Sequence, residues 1–373
     1  MKIFTCQACG QTVYFHNVAC PRCGHLLGFV PDALQLAAFE TAGENLWRPL
    51  CTTQFAAYRQ CRNYSEHAAC NWMVAGDDPL SLCVACRLNR TIPDLSVPGS
   101  LGLWQRLQME KNRLVYSVLR LGLPLQSKRQ SPDSGLAFDF LASPDPAFRE
   151  GGSQDGGVTI GHDRGVITLD IAEADDAVRE RVRQDMAEPY RTVLGHFRHE
   201  SGHFYWDRLV RGSSRLAAFR QCFGDERQDY AQSLARHYQS GPAAEWEAQF
   251  VSGYASSHPW EDWAETWAHY LHIVDTLETA WQFGLRLAPR VREGANLAVV
   301  ASFDPYSSDD FAQLIDYWQP VTAALNSLNH SMGQPDAYPF VLTPPVIEKL
   351  ELVHDIIRRQ PPPRQPPEGS GLR

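Results

Sequence analysis

The chain has 373 residues, 44% hydrophobic and 21% charged, a composition typical of a soluble globular protein with two or three domains. Its formal net charge of −9 argues against a nucleic-acid binder, because affinity for phosphates requires a basic surface. No apolar run approaches the roughly 20 residues that span a bilayer, and the first residues, MKIFTCQACG, lack the apolar core of a secretory signal. We therefore expect a cytoplasmic protein with no membrane or nucleic-acid partner.

Cysteine is concentrated in the amino-terminal part of the chain, where nine of the ten lie before residue 90. In a reducing compartment, clustered cysteines bind metal more often than they form disulfides. Two CxxC pairs, CQAC and CPRC, present four thiolates that can complete a closed tetrahedral zinc site. The predicted ligands of this first structural zinc are Cys6, Cys9, Cys20 and Cys23. The alternative is two disulfides, or reduced thiols without metal.

A second group of cysteines follows and contains a single CxxC pair, CVAC. The predicted ligands of a second structural zinc are Cys61, Cys70, Cys83 and Cys86, with Cys51 as the alternative to Cys61. Metal would supply much of the folding free energy of such a segment. We therefore predict a zinc-ribbon domain over residues 1–96, which docks a protein partner or a substrate, or braces the neighbouring domain.

The segment VPGS at residues 97–100 is typical of a linker, and several elements are predicted between it and residue 186. They are an amphipathic helix over 103–123, a strand over 135–142, a β-hairpin over 156–172 and a polar helix over 175–186. We interpret His162 and Asp163, in the turn of the hairpin, as a polar turn rather than as metal ligands. The strand GVITLDI is a candidate edge strand that could pair with the backbone of a substrate.

The segment GHFRHESGH places His199 and His203 four residues apart, with Glu200 directly after the first histidine. Residues four apart lie on one face of a helix, and the flanking apolar residues, with Pro189 in a first turn, predict such a helix. This HExxH pattern indicates two zinc ligands and a general base. We therefore predict His199 and His203 as ligands and Glu200 as the base.

A catalytic zinc needs three protein ligands and one open position. The downstream segment PWEDWAETWAHYLHIVD predicts an amphipathic helix that begins at Pro259 and places Glu261 and Glu265 one turn apart. Glu261 is the predicted third ligand, with Glu265 as the main alternative. If Glu261 is the ligand, Glu265 can accept a hydrogen bond from the other ring nitrogen of a ligand histidine, which fixes the ring direction.

Other polar and aromatic residues near these helices are expected to be structural. For Asp207 two roles stay open: it orients a ligand, or it has a plain polar role. The residues expected to lie in the core or to support the site are His258, His269, His272, Trp260, Trp263, Trp267 and the thiol of Cys222. Further helices are predicted over 223–241 and 307–329, and a disordered Pro-rich tail over 357–373.

The motifs of the second region resemble those of the gluzincin branch of zinc peptidases, in which an HExxH helix is followed by a ligand Glu on a later helix. EDWAE is similar to the Glu-aromatic-Ala-Glu signature of that branch, which implies Glu261 as the ligand and Glu265 as its support. These peptidases place a tyrosine seven residues before the ligand Glu, where this chain has Tyr254. The resemblance implies that the phenol of Tyr254 faces the developing oxyanion.

Over roughly residues 1–290 the chain resembles a family of zinc-binding metallopeptidases with an amino-terminal zinc ribbon. The motifs that carry the resemblance, in order, are CNWMV, CRLNRTIPDL, GHDRGVITLDIAEADD, EPYRTVLGHFRHESGHFYWDRL, FGDERQDYAQSLARHY and HPWEDWAETWAHYLHIVDTLET. The resemblance implies an α+β protein with a zinc ribbon followed, over 101–356, by a mostly helical zincin-like domain with a small β-sheet. It implies the chemistry and not the substrate.

We therefore expect a metallopeptidase with one catalytic and two structural zinc ions, which hydrolyses a peptide or protein substrate through an activated water. Two alternatives stay open. One is a zinc-ribbon adaptor protein with an inactive peptidase fold, and the other is a hydrolase of a non-peptide amide. Glu200 weighs against the inactive fold, because a site that performs no hydrolysis gains nothing from a base beside the ligand histidine.

Overall fold

The computed structural model describes residues 2–142, 161–185, 191–290 and 297–360. Strands dominate the amino-terminal region, and helices dominate the chain after residue 100. The expected α+β fold, with a zinc-ribbon region before a largely helical region with small sheets, is confirmed. The tail predicted over 357–373 lies outside the described residues from residue 361 onward, but its first two residues, Ile357 and Arg358, end a helix, so its predicted start is wrong. The predicted helix start at Pro189 also lies outside the described residues.

The amino-terminal region contains two antiparallel sheets, one of two strands and one of five strands in chain order. The strands are β1 (Ile3–Thr5), β2 (Thr12–Tyr14), β3 (Leu26–Val30), β4 (Gln35–Gly43), β5 (Leu46–Pro49), β6 (Tyr58–Gln60) and β7 (Met73–Ala75). A short helix, α1 (Arg62–Ser65), lies between β6 and β7. Phe29 packs on Trp72 with ring centroids 4.5 Å apart, which ties β3 to the chain just before β7.

A four-stranded mixed sheet joins the amino-terminal region to the rest of the chain. Its strands are β8 (Asn89–Thr91), β9 (Ala137–Leu141), β10 (Gly161–Asp163) and β11 (Val166–Asp170), in the spatial order β10, β11, β9, β8. β8 pairs in parallel with β9, although β8 belongs to the segment predicted as the zinc ribbon. The two regions therefore share a sheet across the predicted linker.

The strand GVITLDI was expected at a sheet edge, and that expectation is wrong. It forms β11, which pairs with β9 on one side and with β10 on the other. The hairpin partner covers the side that the sequence left open, because the turn at His162–Gly165 folds β10 back onto β11. In the described part of the chain, β10 and β8 are the edge strands of this sheet, and β10 lies against the helix that carries HExxH.

The remaining elements are mostly helices. They are α2 (Ser100–Arg120), α3 (Asp176–Asp185), α4 (Val193–Leu209), α5 (Leu216–Phe223), α6 (Tyr230–Ser240), α7 (Pro259–Gln282), α8 (Phe311–Ser331) and α9 (Pro344–Arg358), with an antiparallel strand pair, β12 (Arg286–Leu287) and β13 (Val299–Val300). The central helix α7 packs against α4, α8 and α9, and α2 covers another side of α4. Within the described ranges, no helix combines the length and apolar character needed to cross a bilayer.

Candidate metal centre

Helix α4 carries three of the predicted site residues. Its amino terminus is capped by Thr192, whose hydroxyl accepts a hydrogen bond from the backbone N–H of Gly195 at 2.9 Å. His199 and His203 lie one turn apart in the middle of the helix, and their ring centroids are 4.9 Å apart. Intrahelical hydrogen bonds fix the backbone on both sides of the two histidines, so their rings project from a rigid support.

A close contact between helices brings α7 to this face of α4. A Cβ added at Gly202 would lie 2.9 Å from the Cα of Ala264, so only glycine allows the two backbones to approach this far. The indole N–H of Trp263 donates to the carbonyl of Gly202 at 2.9 Å, and that of Trp267 donates to the hydroxyl of Ser201 at 3.1 Å. Both tryptophans lie in the core, where the sequence predicted them.

Glu261, in the first turn of α7, points at the two histidines. Its Oε2 lies 3.0 Å from Nε2 of His199 and 3.5 Å from Nε2 of His203. The three potential ligand atoms all lie within 4.8 Å of one another. Although burial raises the pKa of Glu261, the two imidazoles hold it well below its usual range. Two imidazoles and one carboxylate are a donor set that suits zinc, and Oε2 has no hydrogen bond of good geometry among the described residues.

Glu265, one turn further along α7, supports the first histidine. Its Oε1 lies 2.7 Å from Nδ1 of His199, and its Oε2 accepts a hydrogen bond from the hydroxyl of Ser252 at 2.6 Å. This arrangement fixes the ring of His199 with Nε2 directed towards Glu261, as expected for a carboxylate behind a ligand histidine. The contribution of Ser252 was not foreseen, because nothing in the sequence links it to Glu265.

The two oxygens of Glu200 have different surroundings. Oε1 lies 3.3 Å from Nε2 of His196, whereas Oε2 is buried and has no hydrogen-bond partner among the described residues. A Cβ added at Gly161 of the edge strand would lie 3.8 Å from Oε2, so β10 passes directly by this oxygen. Burial raises the pKa of Glu200, but the contact with His196 and the charges of the nearby imidazoles have the larger, opposite effect and lower it to about 2.

Two tyrosines flank the site. The ring of Tyr254, which opens a 3-10 turn over Tyr254–Ser257, lies 5.9 Å from the ring of His199. Tyr230, at the start of α6, donates its hydroxyl hydrogen to Oε1 of Glu261 at 2.7 Å. The sequence indicated Tyr254 only through family resemblance and missed Tyr230, although Tyr230 lies in the motif FGDERQDYAQSLARHY.

His162 and Trp260 lie closer to the site than the sequence suggested. The ring of Trp260 lies against that of His203, tilted by 39° at a centroid distance of 3.9 Å, so this tryptophan lines the site and is not a core residue only. The ring of His162 lies 6.1 Å from each of these rings. His162 is outside the ligand group found in the described residues, and its Nε2 accepts a hydrogen bond from the N–H of Gly165 within the predicted turn.

The other nearby histidines have structural partners. Nδ1 of His258 accepts a hydrogen bond from the N–H of Trp260 and caps α7. Nδ1 of His269 lies 2.6 Å from the hydroxyl of Tyr338, and His272 contacts Arg198. These contacts agree with the core or supporting roles predicted for them.

The sequence left two roles open for Asp207, orienting a ligand or a plain polar role, and its contacts distinguish between them. Asp207 forms an ion pair with Arg211 at 3.0 Å. Nδ1 of His203 has no hydrogen-bond partner among the described residues. Of the two roles left open by the sequence, the structure therefore favours the plain polar one.

Both predicted cysteine groups come together. In each group the four sulfur atoms lie within 4.8 Å of one another, with separations of 3.7 Å for Cys6–Cys23, 3.6 Å for Cys9–Cys20 and 3.8 Å for Cys70–Cys83. A zinc–sulfur distance of about 2.3 Å gives a tetrahedral S···S edge of about 3.8 Å, whereas a disulfide is about 2.05 Å long. The arrangement therefore fits zinc and not the disulfide alternative.

The second cysteine group contains Cys61 and not Cys51. It also contacts the helical region: the side-chain amide of Asn112 donates to Sγ of Cys70 at 3.6 Å, and the buried Lys111 donates to the carbonyl of Ala85 at 2.8 Å. Both residues belong to α2, so this group lies at the junction between the two regions. The two remaining thiols, Cys51 and Cys222, lie outside the groups, and burial raises the pKa of each, that of Cys222 to about 11, which disfavours the reactive thiolate.

Comparison with known proteins gives the same division of the chain. Residues 100–356 match the family described as "Putative zinc-binding metallo-peptidase", and residues 3–97 match a zinc-ribbon domain. Proteins described as uncharacterized, from Mycobacterium bovis and Mycobacterium tuberculosis, are each 41% identical to this chain over 367 residues, which is 98% of both chains. No solved structure matches. The family match spans more than half of the chain and contains the histidines and carboxylates described above, so the chain belongs to this family of zinc-binding metallopeptidases.

Proposed function

We propose that this protein is a zinc-dependent peptidase that hydrolyses peptide bonds in a peptide or protein substrate. One observation carries the proposal. A buried carboxylate, Glu200, has an oxygen without a partner in the described residues, and it directly follows a histidine of a converging His–His–Glu set. A group that only held metal would need the three ligands and would gain nothing from a fourth, buried acid whose burial opposes its ionisation.

The residues divide the chemistry between them. His199, His203 and Glu261 would hold zinc, and zinc, when bound, supplies Lewis-acid activation of water and of the substrate carbonyl. Glu200 accepts the proton of the attacking water and passes it to the leaving amine. Tyr254 donates a hydrogen bond to the developing oxyanion, and such a donor contributes about 3–4 kcal/mol to transition-state stabilisation.

The zinc content follows from the same donor sets. The two groups of four cysteines present closed sets of thiolates, which suit structural ions, and the His–His–Glu set leaves positions for water and substrate. We therefore propose two structural zinc ions and one catalytic zinc ion per chain. Metal analysis should give about three zinc ions for the wild type and about two for His199→Ala.

The decisive variant is Glu200→Gln, which keeps the size of the side chain and removes its basicity. It should keep the full zinc content and lose cleavage of a peptide library by a factor of about 100 or more. Glu180→Gln is the matched control, because it makes the same change at a half-exposed position on α3. If Glu200→Gln cleaves peptides at the wild-type rate, Glu200 is not the general base and the proposed mechanism fails.

A further inference from the structure

One turn before Glu200 on α4, His196 lies between two acidic side chains. Its Nδ1 is 2.6 Å from Oε2 of Glu173, and its Nε2 is 3.3 Å from Oε1 of Glu200. Glu173 lies in the 3-10 turn over Ile171–Ala174, directly after β11. The side chains are 15% exposed for His196 and 8% for each glutamate, so solvent screens their interactions little.

The geometry determines the charge of the ring between these two acids. An ionised carboxylate can only accept hydrogen bonds, and a neutral imidazole has one N–H and one nitrogen lone pair. A neutral His196 would therefore direct a lone pair at one of the two carboxylates. Only the imidazolium, with hydrogen on both nitrogens, can donate to Glu173 and to Glu200 at the same time. Burial lowers the pKa of His196, but the two carboxylates have the larger, opposite effect and raise it to about 10, which agrees with this assignment.

We propose that His196, held as an imidazolium by Glu173, is a positioning residue that fixes the Glu200 carboxylate for proton transfer. The inference rests on the peptidase function proposed above. The ion pair with His196 engages Oε1 of Glu200, and Oε2 is left to accept the proton of the attacking water. Because the ring already carries both of its protons, it does not relay the proton. It fixes the direction of the base and supplies a positive charge beside it.

This arrangement gives the two oxygens of Glu200 different roles: one binds His196 and the other accepts the proton of the water. Without His196, no ion pair or hydrogen bond among the described residues would distinguish Oε1 of Glu200 from Oε2. Glu173 has no role at the reacting atoms in this scheme. It acts through His196, much as Glu265 acts through His199 on the other side of the site.

The kinetic test is a double-mutant cycle on the full-length, zinc-loaded protein with a cleaved peptide as substrate. His196→Gln should keep the zinc content, change KM by less than about twofold and lower kcat by about 10- to 100-fold. In the Glu200→Gln background, the same substitution should cause no further loss, because His196 acts only through Glu200. A multiplicative loss in the double variant, or a wild-type kcat for His196→Gln, overturns the proposal.

His354→Gln is the matched control for the loss of a buried imidazole. His354 is buried on α9, its Nδ1 lies 3.0 Å from the hydroxyl of Tyr270, and its charged neighbours are Asp309, Asp355 and Arg358 rather than acids of the site. This control should lose stability but keep kcat. Glu173→Gln should give a smaller loss of kcat than His196→Gln, because the amide oxygen still accepts from Nδ1 without supplying negative charge.

A second measurement needs no substrate. Nitrogen-15 NMR of the zinc-loaded chain should show both ring nitrogens of His196 protonated at about pH 8, where an unperturbed imidazole is neutral. In Glu173→Gln the ring should be largely neutral at that pH. A neutral ring in the wild type overturns the proposal whatever the activity. A charged ring in a protein that cleaves no peptide refutes the peptidase function and leaves the contact between His196 and Glu200 standing.

Discussion

Gly202 offers a direct test of how the packing of two helices sets the metal geometry. In Gly202→Ala the new Cβ would lie 2.9 Å from the Cα of Ala264 and 3.2 Å from the Cβ of Trp267. Carbon atoms pack best at about 3.5–4.0 Å, so α4 and α7 must separate by about 0.6–1.1 Å. Ligand distances in a zinc site tolerate only about 0.2 Å, and Glu261 on α7 must reach His199 and His203 on α4. We therefore expect zinc affinity at this site to fall by about tenfold or more.

The effect of Gly202→Ala on the free energy of unfolding has two opposing parts. Overpacking costs about 1–3 kcal/mol, and the better helix propensity of alanine returns about 1 kcal/mol. Zinc affinity would be measured by chelator competition, with His199→Ala identifying the contribution of the cysteine sites. Gly102→Ala on the exposed side of α2 is the control, since its Cβ meets no atom within 4 Å, and it should bind zinc normally. Wild-type zinc affinity in Gly202→Ala would refute the argument that this helix contact sets the ligand geometry.

Three further predictions concern residues that surround the metal sites. Tyr230→Phe removes the hydrogen bond to Oε1 of Glu261 and should lower zinc affinity by about tenfold in the chelator assay, and an unchanged affinity would contradict this role. Lys111→Met removes the hydrogen bonds that the buried ammonium donates to the carbonyl of Ala85 and to Oδ1 of Asn89, and should lower the free energy of unfolding by about 1–3 kcal/mol in denaturant titrations, whereas a neutral effect would contradict it. The pKa of His196 is raised from 6.5 to about 10, so its stabilisation is complete below pH 6.5 and is lost as the pH rises through 10. The difference in unfolding free energy between the wild type and His196→Gln should therefore shrink over that range, and a constant difference would contradict the assigned charge.

Local spacing predicted much of the site because each group depends on short-range geometry. The CxxC pairs, the HExxH turn and the placement of Glu261 and Glu265 one turn apart each follow from the chain within five residues, and the structure brings these residues together. The spacing of the CxxC pairs does not show whether Cys51 or Cys61 completes the second cysteine group, because that depends on the path of the sheet strands between them.

The residues that the sequence missed act across long separations in the chain. Tyr230 reaches Glu261 across 31 positions, and Glu173 reaches His196 across 23. No periodicity or spacing rule links such pairs. The edge strand was misassigned for a related reason: alternation of apolar residues in GVITLDI shows that it is a strand and gives no information on which neighbours flank it. Helices α5 and α9 also went unpredicted.

The parallel pairing of β8 with β9 has a consequence for any attempt to divide this protein. A truncated chain starting near residue 100 would lose β8, and the hydrogen-bonding edge of β9 would open to solvent beside the buried rings of Phe138 and Phe140. An unprotected edge of that kind recruits strands from other molecules. Expression of the helical region alone should therefore yield aggregates, and the cysteine-rich region should be retained in every sample prepared for activity assays.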